Sequence, residues 1–182
     1  MTHGFRLLLP VLLLPALSAC GFQLREPLQL PPDLDGIRVV ASDPYSPLAQ
    51  ALGRSLEHAG LDVADGAASP GTADAGVLRI HSEGWDSQPI SVDQFGRAQE
   101  FTLRYAAVFS LTGADGTELV PEQVIELSRE YVSLPENSAG SESEREMLSR
   151  ELQREMSAAV LRRIDAVNRA RLRDGAASPS GD

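Results

Sequence analysis

Three kinds of side chain in this 182-residue chain could do chemistry: one thiol, three imidazoles and sixteen guanidiniums. The thiol, Cys20, has no second cysteine with which to form an internal disulfide. His3 lies at the extreme N-terminus, and His58 and His81 are far apart, with no CxxC or HxxxH spacing to hold a metal. They read as two surface or half-buried histidines. There is no GxSxG turn and no glycine loop to cradle a phosphate. The acids are numerous but scattered, so the sequence points away from catalysis, and from any metal or cofactor. Every basic residue is arginine, the side chain best suited to grip phosphate or carboxylate with two parallel hydrogen bonds. The formal charge of −10 nevertheless argues against a nucleic-acid partner, which needs a basic patch.

The position of Cys20 decides its chemistry. Arg6 opens the chain with a positive charge, and an apolar stretch from Leu7 to Leu17 follows. A membrane-spanning helix needs roughly 20 apolar residues, and Pro10 and Pro15 interrupt this shorter run. A charged start, a short apolar centre and the small residues Ser18 and Ala19 describe a secretory signal over residues 1–19. Leu17-Ser18-Ala19-Cys20 resembles the bacterial lipobox. That resemblance implies cleavage before Cys20 and acylation of its thiol and new amino terminus. More than one acyl chain gives a stable anchor, at about 0.8 kcal/mol per buried methylene. Gly21 stands where an aspartate would resemble an inner-membrane retention signal, so the outer membrane is the expected address.

The remaining elements form one domain. Pro27, Pro31 and Pro32 keep the lipidated N-terminus, residues 20–35, extended as a tether. The domain is expected over 36–173, with a disordered tail at 174–182. Gly36 to Val40 reads as a first strand. Leu48, Leu52 and Leu56 form a helical stripe begun by Ser46-Pro47 and ended by Gly60. Leu61 and Val63 begin a second strand, and 65–76 reads as a mobile loop. VLRIH at 77–81 is a further strand running toward Trp85. From Phe101 to Leu111 the apolar residues alternate strictly, which fixes a long strand with one buried face. Ala114-Asp115-Gly116 signals a hairpin into a strand at 118–132, where Pro121 marks a bulge or a late start. Ser141 with Glu144 and Ser143 with Glu146 have capping-box spacing. They open a stripe from Leu148 to Val167 on a helix of about 30 residues, or roughly 45 Å. The predicted fold is an α/β (α+β) two-layer sandwich, with two amphipathic helices on one face of a mixed, about four-stranded sheet. The other sheet face, holding Thr102, Arg104, Ala106 and Val108, is partly open.

Three stretches carry a wider resemblance: Cys20-Gly21-Phe22-Gln23-Leu24-Arg25, the helix opening Asp43-Pro44-Tyr45-Ser46-Pro47-Leu48, and SVDQFGRAQEFTLRYAAVFSL at 91–111. Together with Arg129 and Tyr131 before a long helix, they resemble the LPS-assembly lipoprotein family, LptE, across nearly the whole chain after Cys20. The resemblance implies a non-catalytic outer-membrane lipoprotein without cofactor. Such a protein plugs and helps assemble the LptD barrel as a heterodimer, on the periplasmic side and in the barrel lumen, and takes part in transporting lipopolysaccharide to the outer leaflet. It further implies contact with lipopolysaccharide, whose phosphates call for arginine. The candidates are Arg97 before the long strand, then Arg104 and Arg129, and barrel contacts are expected at 65–76, 86–98 and 113–117. The alternative reading is an auxiliary lipoprotein of another envelope lipid-transport system. A hydrolase ranks last, since no nucleophile presents itself.

Overall fold

The computed structural model describes residue 34 and residues 36–43, 45–64, 75–133 and 138–177. Cys20, the leader, nearly all of the tether, and positions 65–74 and 178–182 lie outside the described residues. The chain runs β1 (Gly36–Ala41), α1 (Pro47–His58), β2 (Asp62–Ala64), β3 (Gly76–Val92), β4 (Ala98–Thr112), β5 (Glu118–Val132) and α2 (Ser138–Ala177). The sheet has five strands in the order β2-β1-β3-β4-β5, not about four. β1 pairs parallel with β2 and β3, while β3, β4 and β5 form an antiparallel meander.

Local chemistry sets the element ends. Ser46 caps α1, its Oγ accepting from the Ala49 N–H at 3.0 Å, and Pro47 occupies the first turn. Gly60, at φ 89°, releases the chain from the helix end. Both hairpins turn at a glycine of positive φ, Gly96 at 77° and Gly116 at 81°. An aspartate braces each: Asp93 accepts from the Phe95 and Arg97 N–H groups, and Asp115 from that of Thr117. Pro121 sits where the β4–β5 register shifts, at the irregularity its missing N–H favours.

Both helices lie on one face. Leu48, Leu52 and Leu56 of α1 and Leu152, Met156, Val160 and Ile164 of α2 are buried against the inward row Leu103, Tyr105, Ala107, Phe109 and Leu111 of β4. Burying each such large side chain contributes about 1.5–3 kcal/mol. Ile37, Leu78 and Ile80 complete this core from β1 and β3, and Leu34 closes its N-terminal edge.

Two lengths differ from expectation. β3 continues to Val92, because its partner β4 offers a ladder along the whole way, so 86–92 is strand rather than loop. α2 has 40 residues, beginning before Ser141 and continuing through Ala177, four positions into the segment expected as tail. Among the described residues no helix is long and apolar enough to cross a membrane.

Candidate functional site

The helices leave the opposite sheet face bare. Alternation decides its membership: Thr102, Arg104, Ala106, Val108 and Ser110 of β4 point away from the core that Leu103, Tyr105 and Phe109 enter. On β5 the same rule puts Glu126, Ser128 and Glu130 there. At the centre the strand pair Gly84 and Ala106 has almost no side chain, and the surface dips. The depression holds about 370 Å³ and is walled by Ser82, Asp86, Arg104, Val108 and Glu126.

Arg104 stands on this wall. Its Nη2 and Nε donate to Glu126 Oε1 at 2.5 and 3.1 Å, which holds the guanidinium pKa above its ordinary value. Asp86, its register partner on β3, adds a second negative charge. Arg104 is therefore neutralised within the sheet surface and remains part-exposed.

Arg97 closes the β3–β4 hairpin tip. Its Nε donates to Asp93 Oδ2 at 2.7 Å, and its guanidinium carbon lies 5.3 Å from the centre of the Phe95 ring. The backbone N–H of Arg97, then its side chain, holds the Asp93 carboxyl below its ordinary pKa. Phe95, 73% exposed, is the most apolar point of this tip.

Arg129 points the other way, toward the helices. Its Nη2 donates to Glu155 Oε2 at 2.5 Å and to Glu151 Oε1 at 3.1 Å, tying α2 to β5. Hydrogen bonding to Glu151, then the charge of Glu155, raises its pKa. The structure thus does not bring the three arginines together. Arg104 and Arg129 occupy opposite faces, although Arg104 pairs with Ser128 next door, and Arg97 stands at the hairpin tip. His58 bonds the Arg54 carbonyl within α1. His81 lies in β3, its Nε2 2.8 Å from Ser110 Oγ and 3.8 Å from Glu122.

Sequence reasoning missed one aromatic feature on the helix side. Trp85 stacks on Tyr105 with ring centres 4.1 Å apart, and the Tyr105 hydroxyl donates to Glu83 Oε2 at 2.5 Å. Burial, then Glu83, pushes the Tyr105 phenol well above its usual range. The odd numbering that buries Tyr105 was visible in the sequence, but its partners on β3 were not.

A helix-covered, five-stranded mixed sheet is a fold this chain shares with solved bacterial lipoproteins. It superimposes on a lipoprotein B from Nitrosomonas europaea with a TM-score of 0.66, covering 85% of this chain and 96% of that one at 24% identity. The rare lipoprotein B from Shewanella oneidensis gives 0.63, with 76% and 98% covered at 22% identity. The family model described as LptE, Lipopolysaccharide-assembly, matches residues 34–164, and the chain belongs to that family. The LPS-assembly lipoprotein LptE of Yersinia enterocolitica is 27% identical over 182 residues, all of this chain and 84% of the relative. That of Photorhabdus laumondii is 25% identical, with 93% and 90% covered. The matched span runs from two residues before β1 to Ile164 inside α2, so it takes in every strand, all of α1 and the larger part of α2.

Proposed function

We propose that this chain is a lipid-anchored, non-catalytic plug that seats in the LptD barrel and supports delivery of lipopolysaccharide to the outer leaflet. The observation that carries the reading is the family match over residues 34–164, which spans the sheet, α1 and α2 as far as Ile164. The physical form suits the task. A plug must be rigid, and the sandwich has a continuous core between its helices and sheet. It must also meet a polar, wet barrel interior. Around its central depression the bare face offers Arg104 already paired with Glu126, so docking over that part meets a charge that is already answered.

Cys20 is the proposed lipidation site and the outer membrane the proposed location, with the sandwich on the periplasmic side and in the barrel lumen. Of the three arginines, Arg97 is the proposed lipopolysaccharide contact. It is about half exposed and sits on a projecting turn beside Phe95, a pairing that offers a phosphate a cation and an acyl chain an apolar neighbour. Arg104 remains a secondary candidate at the rim of the depression. Arg129 is committed to two carboxylates of α2 and is the weakest of the three.

A mild-detergent pull-down of the acylated, tagged chain from its own membranes tests the reading. A stoichiometric outer-membrane barrel of the translocon type supports it. An inner-membrane transporter instead would move the protein to another lipid-transport system. A Cys20→Ser chain should leave the membrane fraction; if it stays there unchanged, the anchor is elsewhere.

A further inference from the structure

Among the described residues, the sheet carries one basic spot that no carboxylate answers. On β1, Ile37 enters the core and Val39 and Ala41 pack against it, so Arg38 and Val40 face the bare side. On β3, Leu78 and Ile80 enter the core, so Val77 and Arg79 face the bare side too. The parallel register sets Arg38 beside Val77 and Val40 beside Arg79. Arg38 and Arg79 are therefore diagonal neighbours on one surface.

Everywhere else on the sheet the described arginines are paired: Arg97 with Asp93, Arg104 with Glu126, Arg129 with Glu151 and Glu155. Among the described residues no carboxylate forms an ion pair with Arg38 or Arg79. Asp62, two residues along β2 from Ala64, the register partner of Arg38, forms no ion pair with Arg38. Moreover, Arg38 Nε is shut off from solvent and has no acceptor among the described residues. A buried cationic N–H without an acceptor costs more than an ordinary lost hydrogen bond, and two adjacent guanidiniums repel each other. An anion resolves both. The rest of the neighbourhood is compatible with one: Ser110 pairs across from Arg79 on β4, and Thr112 lies across from Val77.

We propose that Arg38 and Arg79 form an anion-binding site on the bare sheet face, between β1 and β3, that takes a phosphate monoester. Two guanidinium forks present more parallel donors than one carboxylate has oxygens to fill, whereas a phosphate monoester offers three terminal oxygens and up to two charges. The site lies between β1 and the start of β3, whereas the depression around Arg104 is walled by a later stretch of β3 with β4 and β5, and the hairpin tip that carries Arg97 is further along. It does not depend on the barrel reading, and its test requires no barrel.

The experiment uses the purified full-length acylated protein in neutral detergent. Binding of inorganic phosphate and of glycerol phosphate is measured by calorimetry at constant ionic strength, with chloride as control. Capture by vesicles of phosphatidic acid in neutral lipid is measured in parallel. Arg79→Gln is the main variant, because Arg79 is exposed and its loss leaves the core alone. Arg38→Gln is the second, and Arg104→Gln is the comparison. The expected result is one phosphate ester per chain, at least about tenfold weaker in either β1 or β3 variant and unchanged in Arg104→Gln. Loss confined to the soluble esters identifies a free phosphate as the source, and loss confined to the vesicles identifies a lipid headgroup. Phosphate should also raise the melting temperature of the wild type but not of Arg79→Gln. Absence of binding in both arms, or binding that Arg79→Gln and Arg38→Gln leave intact, overturns the site.

Discussion

Tyr105→Phe removes one oxygen from the buried row of β4 and leaves the ring on which Trp85 stacks. The wild-type hydroxyl is 1% exposed with its residue and donates to the Glu83 carboxylate at 2.5 Å. Losing a hydrogen bond to an ionised acceptor costs about 1.5–3 kcal/mol. Glu83 is half-buried and can turn to water, so the lower end, about 1.5 kcal/mol at pH 7, applies. The deficit should then shrink with alkali. Burial, then Glu83, raises the phenol pKa above its ordinary 10.0 in the folded chain. A raised pKa contributes stability that is fully present below the unfolded pKa and lost as pH climbs beyond it. The unfolded tyrosine ionises near pH 10 while folded Tyr105 keeps its proton. The wild type therefore gives up about 1.4 kcal/mol through this group by about pH 11. The phenylalanine variant has no phenol at this position and escapes that loss. Urea unfolding, followed by circular dichroism and by fluorescence of Trp85, the chain's single tryptophan, measures both proteins across the range. Their free energies should differ by about 1.5 kcal/mol at pH 7 and converge near pH 11. Equal stability at pH 7, or a gap that persists unchanged to pH 11, would refute the reasoning.

Three further outcomes follow from the packing and the turns. Gly76→Ala places a Cβ inside van der Waals contact of Leu34 and 3.1 Å from the Thr112 carbonyl oxygen, so it should lower stability by about 1–3 kcal/mol in urea titration. Met156→Ala opens a hole between α2 and the sheet at a fully buried position and should cost about 2–5 kcal/mol, read as a drop in melting temperature. Asp93 has a depressed pKa, so its contribution is present above the ordinary carboxylate pKa and lost as pH falls through the folded value. Melting temperature of the wild type should therefore fall below about pH 4 more steeply than that of Asp93→Asn, and parallel curves would remove the hairpin brace from the account.

The period-two row from Phe101 to Leu111 was legible because its inward residues are all apolar or aromatic, and each of Leu103, Tyr105, Ala107, Phe109 and Leu111 is buried. Leu48, Leu52 and Leu56 were legible for the same reason at helical spacing. The distal half of β3 was not. Ser82, Gly84, Asp86, Ser87, Gln88 and Pro89 carry no alternation, and only pairing with β4 makes them a strand. The tertiary ladder there overrides local preference. β2 has three residues, which is too short for any pattern to insist on, and the strand count rose from about four to five accordingly. Among the site residues the lesson is sharper. The alternation that turned Leu127 and Tyr131 inward also turns Arg129 inward, so its position under α2 could have been read from number parity alone. Its two glutamate partners lie 22 and 26 residues away and could not. The unanswered pair Arg38 and Arg79 depends on a parallel register that no local sequence signal encodes.

The place of β1 in the sheet has a mechanical consequence. The first described strand is not at an edge but between β2 and β3, hydrogen-bonded on both sides. A pull on the chain upstream of Leu34, directed along β1, loads both ladders in shear, with many bonds sharing the force together. An edge strand hauled sideways would instead peel one bond at a time. Leu34, wedged against Gly76, adds an apolar stop at the point where such a force enters. The sandwich is thus built to be held by its N-terminal end without unravelling from it.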